Sequence, residues 1–334
     1  MDLPEWPQGL ARAWHPLALE HELKDRPLAV TLLGHRLALF RSGAGLGLVE
    51  DRCPHRNVPL SGGQVQNGAL ECPYHGWQFA ADGSCIKVPG SSTCAVAGAR
   101  AWPVRAAHGL IWGNVHPDPA PFPQFWSDTD GPAYDRFWWN VPAAPAAIGD
   151  AIENLLDPLH SYFLHPGLVR RSRHPQTQSI TFTSDADGCD ASYVEARAGL
   201  TLLQRLTEGG RIRSWGRYRT PTMVQIAFDD ARGCHLAIDV VFQPLERGLT
   251  RPYARFATRK GLAPAWLKRW LLIAFNLPVL AQDRAMLRLQ LDNSQRFGGP
   301  DYHSGPLDMF APAIWAGLND RPIPSEDRQL QLEG

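Results

Sequence analysis

The sequence predicts an α+β protein of two domains, a small all-β domain followed by one in which helices grip an antiparallel sheet. Three observations carry this. Residues 28–115 hold short runs of alternating apolar and polar residues, separated by glycine-containing turns. Residues 178–258 hold a longer series of β-rich runs, with helical stretches on either side at 146–164 and 264–297. Between the two series, a stretch around 117–133 is rich in proline and aspartate and has no period, so it reads as a linker. The boundary is expected near residue 120, giving domains over 1–120 and 121–334.

Composition bounds the function. At about 150 residues per domain, 334 residues make two domains. Hydrophobic content of 44% and twelve tryptophans suffice for sizeable cores. Thirty-three basic and thirty-three acidic residues cancel, so no overall field recruits nucleic acid or an anionic membrane. Arg170, Arg171 and Arg173 make a local basic cluster that is a candidate docking point, although such a run is usually a solvated face. The first residues show no basic region followed by an apolar run, so no signal peptide is expected. The best apolar stretch, Trp270 to Leu280, falls short of the roughly 18 residues of a membrane span. A cytoplasmic protein is the expectation.

Taken in order, LAVTLL, RLALF and LGLVE over 28–50 read as strands broken at Gly34-His35 and at the glycines that follow. Asn67-Gly68 marks a tight turn, and Asp82-Gly83 marks a hairpin between 77–80 and 85–88. Strands follow over 102–104 and 110–115. Beyond the linker, 137–141 reads as a strand and 146–164 as one helix. QSITFT, ASYVEAR, LTLLQRL, RIRSWGRYR, TMVQIAF, HLAIDVVF and LTRPYARFAT then make a sheet. Its hairpin-like breaks at Asp187-Gly188, Gly209-Gly210 and Gly233 point to antiparallel pairing. Residues 264–297 return to helix, with an interruption expected at Pro278.

The most informative stretch lies in the first domain. Cys53 and His55 form one pair and Cys72 and His75 a second, sixteen residues on. Two thiolates and two imidazoles can hold one tetrahedral zinc. They also suit a two-iron, two-sulfide cluster in which two imidazoles replace two thiolates on one iron. With Cys53-Pro54, Cys72-Pro73 and Tyr74-His75-Gly76-Trp77, the stretch closely resembles the Rieske family. Val58 and Tyr74 stand where the respiratory and photosynthetic members carry two further cysteines. The resemblance is therefore to the Rieske proteins that feed oxygenases. Cys85, Cys94, Cys189 and Cys234 remain as buried or incidental thiols.

The second informative stretch runs from Asn154 to Gly167. On a continuous helix Asn154, Asp157 and His160 share one face. His160 and His165, five apart, point about 140° away from each other on a regular helix. Convergence on one ion therefore requires a departure from helical geometry, for which Pro158, Pro166 and Gly167 are suited, and an irregularity is expected between 160 and 167. Two histidines and one carboxylate with open positions make the facial triad of non-haem Fe(II) oxygenases. The Asn-Asp-His-His pattern resembles that of Rieske oxygenases, whose remaining ligand is a distant aspartate on a C-terminal helix. The resemblance assigns Asp283, in its Gln-Asp-Arg setting, over Asp292. Asp157 followed by Pro158 also reads as a simple helix cap. In the family, the matching aspartate links a cluster histidine of one subunit to an iron histidine of the next, here from His75 through Asp157 to His160.

The resemblance implies a terminal oxygenase component, a homotrimer arranged head to tail, carrying a Rieske-type [2Fe-2S] cluster and mononuclear Fe(II). Electrons would come from a separate ferredoxin or flavin reductase, since no flavin or nicotinamide fingerprint appears. The length and the C-terminal segment look most like the vanillate and dicamba O-demethylase branch of monooxygenases, which hydroxylate a methyl carbon and release formaldehyde. The expected substrate, beside O2, is a hydrophobic aromatic or polycyclic small molecule. Phe163, Trp215, Tyr218, Met223, Phe228 and Phe242 are candidate pocket residues, with Arg213, Arg217 or His235 as polar partners. The alternatives are a ring-hydroxylating dioxygenase and a non-catalytic Rieske electron-transfer or ligand-binding protein.

Overall fold

The computed structural model describes residues 6–43, 45–94, 97–170, 173–175, 177–194 and 212–332. The chain forms two compact units. One is built on Ala11–Pro123 with Gln243–Arg247; the other is built on Gln124–Phe242 and the chain from Gly248 on, with Pro7–Leu10. Helix α1 (Gln8–Arg12) is a short turn near the start of the described chain.

The first unit is all β in its described strands: β1 (His15–Leu19), β2 (Leu28–Leu32), β3 (His35–Ser42), β4 (Gly45–Glu50), β5 (Gln64–Gln66), β6 (Ala69–Glu71), β7 (Gln78–Phe79), β8 (Cys85–Lys87), β9 (Val104–Ala107) and β10 (Leu110–Gly113). They make three small sheets, ordered β1-β10-β9, β2-β3-β4 and β5-β6-β7-β8. Three hairpins turn on two residues with both φ positive: Leu33-Gly34, Asn67-Gly68 and His108-Gly109. That is the backbone of a type I′ turn, whose twist matches the flanking strands. The first of these lies one residue before the expected Gly34-His35, because His35 already pairs with Leu32. Phe40, Val49, Leu60, Leu70 and Phe79 pack into one core with Cys53 and Cys72.

Among the described residues the second unit holds an eight-stranded sheet. Its strands are β11 (Tyr134–Asn140), β12 (Gln178–Asp185), β13 (Gly188–Val194), β14 (Arg213–Arg219), β15 (Met223–Asp230), β16 (Gly233–Glu246), β17 (Leu249–Arg259) and β18 (Glu326–Leu332). Their order is β11-β17-β16-β15-β14-β13-β12-β18. β12 through β16 pair antiparallel in sequence, as the hairpin breaks predict. The strand expected over 200–206 and the break at Gly209-Gly210 lie outside the described residues. Helices α2 (Ile148–Leu156), α3 (His160–Leu164), α4 (Ala265–Arg296) and α5 (Ala311–Leu318) complete the unit.

Two helical expectations need correction. The single helix over 146–164 is two helices, because Asp157 is extended (φ −65°, ψ 121°) ahead of Pro158. A residue preceding proline is driven out of the α region, and the helix stops there. The interruption expected at Pro278 does not occur. Its missing amide costs one hydrogen bond of a 32-residue ladder, and α4 continues to Arg296.

Two candidate metal centres and an apolar cavity

The loops at 53–58 and 72–77 have the same backbone. In each, the cysteine N–H donates to a carbonyl five residues on (Val58, 2.9 Å; Trp77, 2.8 Å). The N–H four residues on donates back to the cysteine carbonyl (Asn57, 2.8 Å; Gly76, 3.1 Å). Asn57 and Gly76 occupy the left-handed region at φ 62° and 69°, which asparagine and glycine tolerate best. Two matching loops thus present one thiol and one imidazole each.

Cys53 and Cys72 are buried; burial, with the neighbouring Cys72 adding to it, pushes the Cys53 thiol up. The His55 and His75 rings lie 4.6 Å apart between centroids, and Trp77 stacks on His55 at 4.6 Å and 3°. Burial, then His75 and Arg56, hold His55 below its ordinary value. Its Nδ1 is buried without a hydrogen-bond partner. An orphaned imidazole nitrogen beside two buried thiols fits a metal group, since a buried polar atom costs stability unless something satisfies it. Among the described residues, only His160, His165 and Asp283 bring three ligand atoms within 4.8 Å of one another. The cysteine and histidine pairs lie in two separate loops, with one thiol and one imidazole in each, a donor set that fits a two-iron, two-sulfide cluster.

The three residues of that group come from two distant segments. His160 opens α3, and His165 lies just past its end at φ −117° and ψ 40°, outside helical geometry. That unwound end is the irregularity their five-residue spacing requires. It brings the rings to 5.3 Å between centroids, nearly perpendicular. Asp283, on α4, places Oδ1 3.0 Å from His165 Nε2 and 3.8 Å from His160 Nε2. Asp292 instead faces Arg288, one helical turn away at 3.9 Å, outside the group.

Each imidazole is oriented from behind. His165 Nδ1–H donates to Gln282 Oε1 at 2.8 Å, and His160 Nδ1–H donates to the Asp157 carbonyl at 2.9 Å. Both Nε2 atoms are thereby left as lone-pair donors aimed at the shared point, as metal-binding imidazoles are held. His165 Nε2 and Asp283 Oδ1 are both buried without a hydrogen-bond partner. Two lone pairs 3.0 Å apart repel unless a cation or a proton lies between them, so the donor set fits a metal ion. Burial pulls the His165 imidazole down, but Asp283 and Gln282 outweigh it and the net direction is up. Burial dominates at His160, whose imidazole is held low despite Asp157 and Asp283.

Asp157 joins the helices as a cap. Its Oδ1 accepts from Leu159 N–H at 2.7 Å and its Oδ2 from His160 N–H at 3.2 Å, while Oδ2 also lies 3.7 Å from His160 Nδ1. Asn154 does not share a continuous helix face with His160, but it lines the same cavity. Sequence reasoning gave no role to Gln282; the signal was its place beside Asp283 in the Gln-Asp-Arg run. Nor did it single out Glu153. Burial, then Asp308, Asp150 and Asp157, push that carboxyl up to about 7.

The group borders a cavity of about 1040 Å³ inside the second unit. Its floor is one face of the sheet, where alternate residues project the same way. Of the expected pocket residues, Trp215, Phe228, Phe242 and His235 line it. Phe163 is instead 59% exposed, because α3 turns it outward. Tyr218 and Met223 are buried off the cavity, Tyr218 donating to the Pro221 carbonyl at 3.1 Å. Arg213 and Arg217 also lie off it, Arg217 being paired with Asp128 at 2.6 Å.

Known proteins match both units. Residues 13–103 match the Rieske [2Fe-2S] domain, and residues 146–311 match the vanillate O-demethylase oxygenase C-terminal domain. The chain is 34% identical over 245 residues to 4beta-methylsterol monooxygenase of Methylococcus capsulatus, covering 65% of this chain and 64% of that protein. It is 32% identical over 188 residues to the 5,5'-dehydrodivanillate O-demethylase oxygenase subunit of a Sphingobium species, covering 51% and 42%. The matches thus span less than two thirds of those relatives' own length. In fold it is similar to Pseudomonas putida NdmA with caffeine, with a TM-score of 0.77, 23% identity and 96% of this chain and 98% of that one covered. It is likewise similar to dicamba monooxygenase bound to dicamba, with a TM-score of 0.79, 20% identity and coverage of 93% and 97%. With a Rieske [2Fe-2S] domain followed by an oxygenase domain of the vanillate O-demethylase type, the chain belongs to the Rieske non-haem iron oxygenases.

Proposed function

We propose that the chain is the terminal oxygenase component of a multicomponent monooxygenase, acting on a hydrophobic small molecule by hydroxylation or oxidative demethylation. The observation that carries this is the convergence of His160, His165 and Asp283 beside a large apolar cavity, in a chain that also bears the Rieske loops. In this reading Cys53, His55, Cys72 and His75 would hold the [2Fe-2S] cluster. His160, His165 and Asp283 would hold mononuclear Fe(II). Iron bound there would supply dioxygen activation, with two electrons delivered one at a time from the cluster; RH, O2, two electrons and two protons balance to ROH and water.

The remaining steps belong to the chain's own side chains. Gln282 and the Asp157 carbonyl hold the two imidazoles in the donating tautomer. Asp157, which accepts from the backbone N–H of His160, would in this reading link His160 to a cluster histidine of a neighbouring subunit. The assembly is then a homotrimer, head to tail, and the donor a separate ferredoxin or flavin reductase. Exposed His75, beside Tyr74 at 63% exposure, is where such a partner or neighbour can approach. The division is near residue 120. The setting is cytoplasmic in this reading, and no helix among the described residues is long and apolar enough to cross a membrane.

The test is His160→Ala in protein carrying an intact cluster spectrum. Loss of substrate-dependent oxygen consumption is expected; unchanged consumption would remove the mechanism. Asp157→Ala is expected to retain both metals and the oligomer while slowing single-turnover electron transfer severely. Normal transfer in that variant would leave Asp157 as a cap only.

A further inference from the structure

The cavity has a chemistry more specific than its place beside the candidate iron site. Ile226 and Phe228 on β15, Ile238 and Val240 on β16, and Ala254 and Phe256 on β17 line it. These are alternate positions on three neighbouring strands, so the floor is a continuous apolar sheet. Its volume of about 1040 Å³ stands at the upper end of the roughly 300–1,000 Å³ that enclose drug-sized ligands. A single benzene ring with small substituents would leave most of this space to water against apolar walls.

Charge is placed just as selectively. Arg259 donates from Nη1 to both Asp230 oxygens, at 2.9 and 2.7 Å, and from Nη2 to the carbonyls of Gly233 and Cys234. Lys268 is held by Asp135 and the Arg259 carbonyl at 2.7 and 3.0 Å. Arg170 donates to Ser161 Oγ at 3.2 Å and lies over the Tyr162 ring. Arg232, Lys260 and Arg284 also border the cavity, but they are exposed at its rim. At the metal end Asp157 and Asp283 line the cavity, and their two negative charges would offset that of a bound Fe(II), leaving no net positive charge there for a substrate anion. A substrate carboxylate inside would therefore find the sheltered Arg259 and Lys268 already paired with carboxylates, and a buried charge without a partner is strongly disfavoured.

We infer that this cavity selects an uncharged, fused-ring substrate over a carboxylate-bearing or single-ring one, with the Asp230–Arg259 pair acting as the device that keeps the wall neutral. The inference rests on the oxygenase reading for its reaction, but its own content is binding. Excluding anions by pre-pairing the wall's cations is specificity through a repulsive element as much as an attractive one.

The experiment is anaerobic calorimetric titration of the iron-loaded protein with a methoxyphenanthrene, the corresponding methoxyphenanthrene carboxylate and a methoxybenzoate. The neutral fused ring is expected to bind at least about tenfold tighter than either acid. In Asp230→Asn, which releases the Arg259 guanidinium, the fused-ring carboxylate is expected to gain about tenfold while the neutral compound changes little. Either acid binding the wild-type protein as tightly as the neutral ring overturns the inference, as does failure of all three to bind. The wild-type comparison decides even if the variant does not fold. Tight binding of the neutral ring with no oxygen consumed, when electrons are supplied, would sink the oxygenase reading and leave the binding inference standing.

Discussion

The two candidate metal centres solve the same problem in opposite ways. At 53–77 every candidate ligand lies within 25 residues, and repeated backbone hydrogen bonds fix the geometry of each loop. At the second centre, His165 and Asp283 are 118 residues apart, and side-chain contacts do the orienting. The first is therefore a property of local sequence, sensitive to backbone substitutions. The second is a property of tertiary packing, sensitive to residues that bind no metal. Four predictions test that contrast.

The largest effect is expected from removing a ligand at the distant site. His165→Ala or Asp283→Ala should abolish retention of the mononuclear metal while leaving the [2Fe-2S] spectrum unchanged; loss of the cluster as well would mean that the centres are not separable. Next comes Gly76→Val in the second ligand loop. Its φ of 69° is left-handed, and a Cβ there would lie 3.2 Å from Pro89 Cγ. Strain of about 1–2 kcal/mol or more should lower cluster occupancy, read as the visible absorbance per protein. Asn57→Gly at the matching position should retain the cluster, and equal loss in both variants would contradict the backbone account.

A smaller effect is expected from Gln282→Leu. Removing the acceptor behind His165 should weaken iron binding about 10- to 100-fold without changing the cluster. Gln282→Glu, which keeps an acceptor oxygen, should recover much of it. Iron affinity unchanged in the leucine variant would mean that packing alone orients the ring.

The smallest effect concerns Glu153, beside the cap that joins α2 and α3. Its carboxyl is raised from 4.5 to about 7, so the folded state prefers it protonated. The stability this contributes is present below pH about 4.5 and lost as pH rises through about 7. Glu153→Gln should therefore gain thermal stability relative to wild type at pH 8 more than at pH 5. A gap between the two melting temperatures that does not change with pH would contradict the assignment.

The same contrast explains what was legible in the sequence. The Cys-x-His and Cys-x-x-His pairs could be read directly, because local sequence specifies both the ligands and the loops. For the second centre, the spacing of His160 and His165 was enough to require a helix irregularity, and an unwound end is found there. The break at Asp157 was written in Pro158 but outweighed by the apolar helical pattern around it. The pocket was least legible. Met223 lies at the wrong parity on β15 to share the face of Ile226 and Phe228, and nothing short of register and packing reveals that. Strand β18 (Glu326–Leu332) was hidden by its charge, which suits an edge strand paired on one side only. Helix α5 is eight residues long and rich in alanine and glycine, too short to stand out from a loop.

The most direct test of the account is anaerobic iron and sulfide analysis of the purified protein, with an EPR spectrum after reduction. Three irons and two sulfides per chain, with a Rieske-type signal, are predicted. Two irons with no further uptake after adding Fe(II) would contradict the mononuclear centre, and zinc in place of iron and sulfide would contradict both.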